Sequence, residues 1–368
     1  MTESRRLRDI ELSLIRQIMQ DAPPEAVNLA LGELGFPLPE SLRQKALELL
    51  REATPVYTPN AGLPRLRDAI ARLYPGCSAD NVCVCNGVEE AIFVSLLALL
   101  DPGDLVAIPD PDYPAYPAIV NILECRVLRL PFESDLSSVD RNLWTSLLNT
   151  GLKALILSHP SNPAGHIFTG EELEWLVKTC EAQGITLLVD EIYSRLLFQG
   201  QLASPYGLSR NIFVLGGLSK SHCMSGWRIG WTVSPPELSG AVIKARQYVS
   251  TCSSWLSQQL AVFALSAEGS APAAEVLAEL QACRRLALQK LEPWGEKLLA
   301  PAATPYLMLR VKGYDLQVCR DLATRGVICV PGSAFGERSR GWLRLNYAVE
   351  RHKLEKALEI INDELHLH

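Results

Sequence analysis

The chain has 368 residues, of which 48% are hydrophobic and 21% are charged, and it contains 24 glycines and 24 prolines. This composition excludes a disordered chain, a collagen-like fibre and a coiled coil. The formal net charge is −6, so the chain lacks the excess of basic residues that nucleic-acid binding requires. We therefore expect no nucleic-acid partner.

The N-terminal twenty residues do not resemble a secretion signal, because no unbroken apolar stretch and no small-residue cleavage site follow the charged start. They follow the spacing of an amphipathic helix, with apolar positions at Leu7, Ile10, Leu14, Ile18 and Met19. The longest strongly apolar run, residues 91–100, has half the length that a membrane-spanning helix needs. We therefore expect a soluble, cytoplasmic protein without a membrane partner.

Ten cysteines are scattered along the chain, and the only close pair is Cys83 and Cys85. A structural metal site would need a second pair of ligands at a matching spacing. Because the sequence shows no such pair, we interpret the cysteines as buried thiols of a reducing compartment and expect no metal.

Short apolar runs alternate with helical patterns through the first two thirds of the chain. The runs predict strands at residues 82–85, 105–108, 126–130, 154–157, 185–189 and 212–215. The clearest helix spans residues 169–183, where Thr169 and Glu172 have the spacing of a capping box. Strands and helices that alternate at this pitch form βαβ units, so the sequence predicts an α/β fold with a mostly parallel sheet.

The pattern changes after about residue 250. A helical stretch at residues 255–299, interrupted near Gly269, is followed by predicted strands at 306–311, 327–330 and 342–347 and by a last helix from about 349. We therefore predict a large domain at residues 41–252 and a smaller α+β domain at 253–368. The N-terminal segment, residues 1–40, should pack with the small domain, because a short helix cannot bury its own face alone.

Polar residues follow the carboxyl ends of five predicted strands, which is where open α/β sheets bind their ligands. In chain order these residues are Asn86, Gly87, Tyr113, Asn162, Asp190, Tyr193, Ser219 and Lys220. The first two open a helix, and a small residue with free N–H groups at a helix N-terminus can bind an anion. Each feature alone is typical of ordinary turns and caps, but five at consecutive strand ends indicate one shared site.

These motifs resemble those of the class I/II aminotransferases, which are fold-type I enzymes dependent on pyridoxal phosphate (PLP). The resemblance is strongest in the segments SNPAGHIF, VDEIYSRL, LSKSHCMSGWRIGW and GWLRLNYA. It extends toward both ends through NLALGELGFPLP, YTPNAGLPRLRDAI and VPGSAFGE. The resemblance implies the PLP-dependent transferase fold, with a large domain around a mostly parallel central sheet and a smaller α+β domain.

The resemblance also implies roles for individual residues around the PLP ring. Lys220 would hold PLP as a Schiff base and act as the base that moves a proton at the substrate. Asp190 would pair with the pyridine nitrogen, which keeps the ring able to accept electrons. Tyr193 and Asn162 would bind the ring 3-oxygen, and Tyr113 would stack on the ring face. Lys220, Asp190 and Tyr193 are thus the expected catalytic residues.

The phosphate and the substrate have their own expected partners. Arg228 would bind the phosphate together with Ser219 and the helix N-terminus, at Gly87, Val88 and Glu89. The substrate carboxylate would be bound by Arg344 as a two-pronged fork, beside Gly32 and Asn162. Tyr57 would reach the phosphate of a neighbouring subunit, so the resemblance implies a homodimer with shared active sites.

Two positions depart from the family pattern. Gly217 stands where the family has a hydroxyl residue three positions before the lysine, so one phosphate contact should be missing or supplied elsewhere, for example by Ser219. Glu89 stands where a small polar residue is common. Because a carboxylate would repel the phosphate, we expect the Glu89 side chain to turn back onto the helix cap.

The reaction that these residues indicate is amino-group transfer between an L-amino acid and a 2-oxo acid by a ping-pong mechanism. Two alternatives stay open. The same constellation serves PLP lyases that eliminate at the β or γ carbon, for instance C–S lyases. A non-catalytic PLP-fold binding protein is disfavoured by the intact set of Lys220, Asp190, Arg228 and Arg344. No residue identifies the substrate side chain, and residues 33–36 and 333–335 are the expected pocket wall.

Overall fold

The computed structural model describes residues 3–8, 10, 14, 18, 19, 22–52 and 54–366. One helical turn, α1, spans Arg5–Arg8. Most of the N-terminal helix predicted from Leu7 to Met19 lies outside the described residues.

The large sheet of the described chain has seven strands. They are β2 (Val82–Cys85), β3 (Leu105–Asp110), β4 (Arg126–Pro131), β5 (Ala154–Ser158), β6 (Thr186–Asp190), β7 (Ile212–Gly217) and β8 (Gly230–Val233). The strand order is β2-β8-β7-β6-β5-β3-β4. Only β8 runs against its neighbours, and the pairs β3–β4, β3–β5, β5–β6 and β6–β7 are parallel. The predicted α/β architecture with a mostly parallel sheet is therefore confirmed.

Helices cover the large sheet. They are α2 (Glu40–Glu52), α3 (Pro64–Ala71), α4 (Val88–Leu99), α5 (Ala115–Ile122), α6 (Arg141–Leu148), α7 (Gly170–Ala182) and α8 (Pro236–Ser250). The capping box predicted for α7 forms, because Thr169 Oγ1 accepts from the Glu172 N–H at 3.2 Å and Glu172 Oε2 accepts from the Thr169 N–H at 2.8 Å. Four buried side chains of α7, at Leu173, Leu176, Val177 and Cys180, face the sheet as its helical period predicts.

The cap of α4 differs from the prediction. Gly87 is the N-cap residue, with a φ of 86°, so the third helical position is Glu90 and not Glu89. The Glu90 carboxylate accepts from the Asn86 N–H, while the Glu89 side chain is exposed. The expectation that Glu89 turns back onto the cap is wrong by one residue, because the positive φ of Gly87, which favours glycine, makes this residue the N-cap and starts the helix at Val88.

A second, antiparallel sheet follows in the chain with the order β12-β13-β10-β9. Its strands are β9 (Leu298–Leu299), β10 (Tyr306–Arg310), β12 (Val330–Pro331) and β13 (Trp342–Asn346). Helices α9 (Trp255–Ala264), α10 (Ser270–Lys290), α11 (Asp315–Thr324) and α12 (Arg351–His366) accompany it. The interruption predicted near Gly269 separates α9 from α10.

The segment predicted as one strand at 327–330 is two strands in two sheets. The first, β11 (Val327–Ile328), pairs in parallel with β1 (Val27–Asn28), and the second, β12, joins the antiparallel sheet. Through β1 the N-terminal segment hydrogen-bonds to this part of the chain, and Leu29 N–H continues the pairing by donating to Ile328 O at 2.8 Å. The division into domains at residues 40 and 252 stays a prediction. Among the described helices, none is both long and apolar enough to cross a lipid bilayer.

Candidate active site

The polar residues selected from the sequence meet where the carboxyl edge of the large sheet faces the antiparallel sheet. Strands β5 and β6 are in register there, with Ser158 opposite Asp190. The antiparallel sheet supplies Arg344 and Tyr306, and the N-terminal segment supplies Gly32. The site is therefore built from three parts of the chain that are distant in sequence.

Asp190 lies at the end of β6 and is only 4% exposed. Its Oδ1 accepts from the Ile192 N–H and its Oδ2 accepts from the Tyr116 hydroxyl, both at 3.0 Å. Burial raises the pKa of Asp190 to about 6, although these hydrogen bonds and Lys220 oppose the rise. A raised pKa is the response of a buried carboxylate that lacks a compensating cation, so the site can accept a cationic partner here.

Lys220 follows β7, and its side chain is half-buried. The Nζ donates to the carbonyl of Gly32 in the N-terminal segment. This contact places the amine in the same space as the Asp190 carboxylate, whose pKa it lowers. The structure thus brings the three residues Gly32, Asp190 and Lys220 together.

Four tyrosine rings line the same space, in two edge-on pairs. Tyr113 is half-buried and packs edge-on against Tyr116, with centroids 5.4 Å apart. The hydroxyl of Tyr193 lies 2.8 Å from the hydroxyl of Tyr306, and both side chains are buried. Burial raises the pKa of Tyr193 well above its usual range, so the Tyr193 hydroxyl stays protonated near neutral pH.

Arg344 on β13 is 2% exposed and is held on several sides. Its guanidinium lies between two rings, with its central carbon 4.2 Å from the centroid of Tyr306 and 4.7 Å from that of Phe335. Nη1 donates to Asn162 Oδ1 at 2.9 Å, and Nη2 donates to the Ala30 carbonyl at 2.5 Å. The Nε–H is buried without a hydrogen-bond partner among the described residues. An unsatisfied buried donor on a guanidinium favours a carboxylate ligand.

The segment that follows β1 lies between the two sheets. The Asn346 amide donates to the carbonyls of Leu31 and Glu33 at 2.5 and 2.6 Å, and Asn346 N–H donates to the Leu29 carbonyl at 2.8 Å. On its other side, the Ser225 hydroxyl donates to the Glu33 carboxylate. This segment is therefore fixed to both walls of the site by hydrogen bonds.

An anion cradle, formed by Gly87, Val88, Glu89 and Arg228, lies at the N-terminus of α4. Arg228 has a left-handed backbone with a φ of 50°, and its Nη2 donates to the Asn86 carbonyl at 3.3 Å. A Cβ at Gly87 would lie 2.4 Å from Arg228 Nη2. Only glycine lets the guanidinium approach the free N–H groups of the helix this closely.

Gly217 borders this cradle at Val88. A Cβ at Gly217 would meet the Ile229 carbonyl at 3.0 Å and side-chain carbons of Ile192 and Val88 at 3.1 Å. The space of the absent hydroxyl side chain is thus occupied by neighbouring atoms. Ser219 is buried, at 7% exposure, beside Lys220.

Tyr57, the residue expected to act in a neighbouring subunit, lies on the surface of the single chain, and its side chain is 88% exposed.

Several residues of the site were not singled out from the sequence. Tyr116 donates to Asp190, and its spacing of three from Tyr113 on α5 was an available signal. Asp112 is 1% exposed and accepts from the Ser158 hydroxyl at 2.5 Å, and burial raises its pKa to about 7. Tyr306 had no local signal, because only the pairing of β10 with β13 brings it beside Arg344.

Comparisons with known proteins identify the family of the chain. The family described as "Aminotransferase class I and II" matches residues 24–361. The chain is 31% identical over 382 residues to an aspartate aminotransferase of Thermotoga maritima, which covers 98% of both chains. It is 31% identical over 350 residues to the valine–pyruvate aminotransferase of Mycobacterium tuberculosis, covering 92% of this chain and 90% of that protein.

A solved structure shows the same architecture. The aspartate aminotransferase of Thermus thermophilus with maleate has a TM-score of 0.92 and 27% identity, covering 99% of this chain and all of that one. The predicted fold is thereby confirmed. With a family match over nearly the whole chain, this protein belongs to the class I and II aminotransferases and is an enzyme that transfers amino groups.

Proposed function

We propose that this enzyme is PLP-dependent and moves the amino group of an L-amino acid to a 2-oxo acid through a ping-pong reaction. The observation that carries the proposal is the convergence of a buried carboxylate, an amine and an arginine with a free buried donor. These are Asp190, Lys220 and Arg344. Each has a chemistry that PLP or an amino acid would satisfy.

The residues fit PLP at three places. Burial raises the pKa of Asp190 to about 6. A protonated pyridine nitrogen beside this group would stabilise the ionised carboxylate. The anion cradle, formed by Gly87, Val88, Glu89 and Arg228, presents helix N–H groups and a guanidinium to a phosphate. Lys220 Nζ, which interacts electrostatically with Asp190, is the amine to which the PLP carbonyl would bind.

When bound, PLP supplies an electron sink for negative charge at the substrate Cα. The chain supplies the rest. Arg344 binds the substrate carboxylate through its unsatisfied Nε–H, and Asn162 and two aromatic rings fix the guanidinium plane. Lys220 Nζ would take the proton from the substrate Cα and deliver it to the C4′ carbon of the cofactor. Tyr193 would donate a hydrogen bond to the ring 3-oxygen, and Tyr113 would stack on the ring face.

We also propose a homodimer in which the partner subunit's Tyr57 contacts the phosphate. The support is the exposure of Tyr57, which has no place in a single-chain site. Co-expression of two differently tagged chains, one carrying Lys220→Ala and the other Tyr57→Phe, tests this arrangement. Hybrid dimers purified through both tags should contain one site with both changes and one with neither, and so keep about half of the wild-type activity.

The substrates are an amino acid and a 2-oxo acid, and the names of the relatives suggest where a search begins. Because these names include aspartate and valine–pyruvate, the first panel should contain aspartate, valine and an aromatic amino acid. Purified protein is loaded with PLP and mixed with one amino acid, without any 2-oxo acid. The cofactor is then released by acid and identified by chromatography.

Transamination predicts one equivalent of pyridoxamine phosphate per active site and one equivalent of 2-oxo acid, with no ammonia. Lys220→Ala should yield neither at a comparable rate. Multiple turnovers with release of ammonia and unchanged PLP would refute transamination and support the lyase.

A further inference from the structure

Tyr306 lies on β10 and contacts Tyr193 and Arg344. The proposed function gives these two residues roles in binding the cofactor and the substrate. We propose that Tyr306 is a positioning residue that donates a hydrogen bond to Tyr193 and thereby strengthens the bond from Tyr193 to the cofactor's 3-oxygen. This inference rests on the proposed PLP dependence. It adds a residue to the site that the sequence motifs do not mark.

The register of the antiparallel sheet places Tyr306 beside the substrate-binding arginine. Tyr306 pairs with Asn346, and Met308 pairs with Arg344. Since alternate residues of a strand share a face, Tyr306, Arg344 and Asn346 all project toward the large sheet. Tyr306 is 1% exposed, and its ring meets that of Tyr193 edge-on, with centroids 5.6 Å apart.

The direction of the hydroxyl–hydroxyl bond follows from the number of hydrogens available. Each tyrosine hydroxyl carries one hydrogen and can accept through its oxygen. When Tyr193 donates to the ring oxygen, the 2.8 Å contact with Tyr306 can persist only if Tyr306 donates to Tyr193. Donors arranged in series polarise one another, so Tyr193 becomes a stronger donor than it would be alone.

The position of the Tyr306 hydroxyl is fixed by the N-terminal segment. A Cβ at Gly32 would lie 2.5 Å from Tyr306 Oη. The hydroxyl therefore occupies the space that any other residue at position 32 would fill, and the Gly32 carbonyl accepts from Lys220. Gly32, Tyr306 and Tyr193 together form one packed contact between the two sheets.

Removal of the hydroxyl can be separated from removal of the ring. The Tyr306 ring covers the Arg344 guanidinium at 4.2 Å, and phenylalanine would keep that contact. Tyr306→Phe should therefore preserve the binding of the substrate carboxylate while it weakens the hydrogen bond from Tyr193 to the cofactor. The charged and titratable groups that face the hydroxyl pair are Asp190, Lys220, Arg344 and Tyr113, and the variant changes none of them.

The test is a spectrophotometric pH titration of bound PLP. A donor to the 3-oxygen stabilises its negative charge and so lowers the affinity for the proton held between that oxygen and Lys220 Nζ. Loss of the Tyr306 hydroxyl should raise the pKa of the chromophore by roughly half a unit, the size of one net hydrogen bond. Tyr193→Phe should raise the pKa further. The double variant should match Tyr193→Phe alone, because Tyr306 acts only through Tyr193.

Tyr347→Phe is the matched control. Tyr347 is also a buried tyrosine next to the antiparallel sheet, and its hydroxyl donates to the Thr304 carbonyl at 2.6 Å. The control loses one buried hydrogen bond and should leave the chromophore pKa unchanged. An unshifted pKa in Tyr306→Phe, or a shift that adds fully to that of Tyr193→Phe, would overturn the proposal while leaving PLP dependence intact. A wild-type protein that forms no Lys220-dependent absorbance band would overturn both.

Discussion

Asp190→Asn should make the cofactor-free protein more stable at neutral pH. Burial raises the pKa of Asp190 from 3.8 to about 6, which corresponds to about 3 kcal/mol of destabilisation once the group is ionised in the folded state. The folded carboxyl keeps its proton longer than the unfolded one, so this destabilisation develops as pH rises from about 4 to 6 and is complete above that range. Asparagine removes the charge.

The amide fits the contacts of the carboxylate. Its oxygen can accept from the Ile192 N–H. Its NH₂ group can donate to the Tyr116 hydroxyl, which then accepts this hydrogen bond where it donates one to the carboxylate of the wild type. With PLP bound, the wild type should be more stable than Asp190→Asn. The protonated ring nitrogen then pairs with the carboxylate, and a neutral amide cannot form this ion pair. The variant should therefore gain stability without cofactor and lose cofactor affinity.

Thermal unfolding at pH 5 and pH 8, with and without PLP, measures both effects. At pH 8 the cofactor-free variant should melt on the order of 4 °C above the wild type, with a smaller gain at pH 5. Glu191→Gln is the control, because burial also raises the pKa of Glu191 to about 7 and its one side-chain partner is the Ser204 hydroxyl. It should stabilise the protein equally with and without PLP. A cofactor-free Asp190→Asn protein that melts below the wild type at pH 8 would refute the reasoning.

Three further changes test the binding residues. Arg344→Lys should raise KM for amino acids roughly 30-fold, measured by steady-state kinetics, because lysine loses the fork of donors. Gly87→Ala should weaken PLP binding about tenfold, since its φ is 86° and the added Cβ meets the Arg228 guanidinium; Gly76→Ala, with a φ of 80° and open space, should not change the PLP Kd. Gly217→Ser should fail to tighten PLP binding, because the added Cβ would meet the Ile229 carbonyl and side-chain carbons of Ile192 and Val88; a lower Kd in this variant would contradict this view of the cradle.

The sequence predicted the parts of the fold that depend on local pattern. The buried runs of the large sheet and the capping box of α7 are short-range signals, and both are present in the structure. The shift of the α4 cap by one residue was not predictable from spacing, because it depends on the positive φ of Gly87. The split of residues 327–330 into two strands was also missed, since a run of apolar residues does not say which sheet each one joins.

The same distinction applies to the site. Residues that follow strand ends, such as Asp190 and Lys220, were found because the topology of an α/β sheet brings strand ends together. Tyr306 was missed because it is 113 positions from its partner Tyr193 and belongs to another sheet. Its position depends on packing between the two sheets, which cannot be predicted from the periodicity of the sequence.

The contacts of the segment after β1 also determine which parts of the active site can form first during protein synthesis. Residues Ala30 and Leu31 contact Arg344 and Asn346 across more than 300 positions of sequence, whereas the strands of the large sheet are all complete by Val233. During synthesis the large sheet can form while β13, which carries Arg344, is still absent. We expect that a nascent chain can acquire the anion cradle well before it can select an amino acid, so cofactor capture would precede substrate recognition in the life of each molecule.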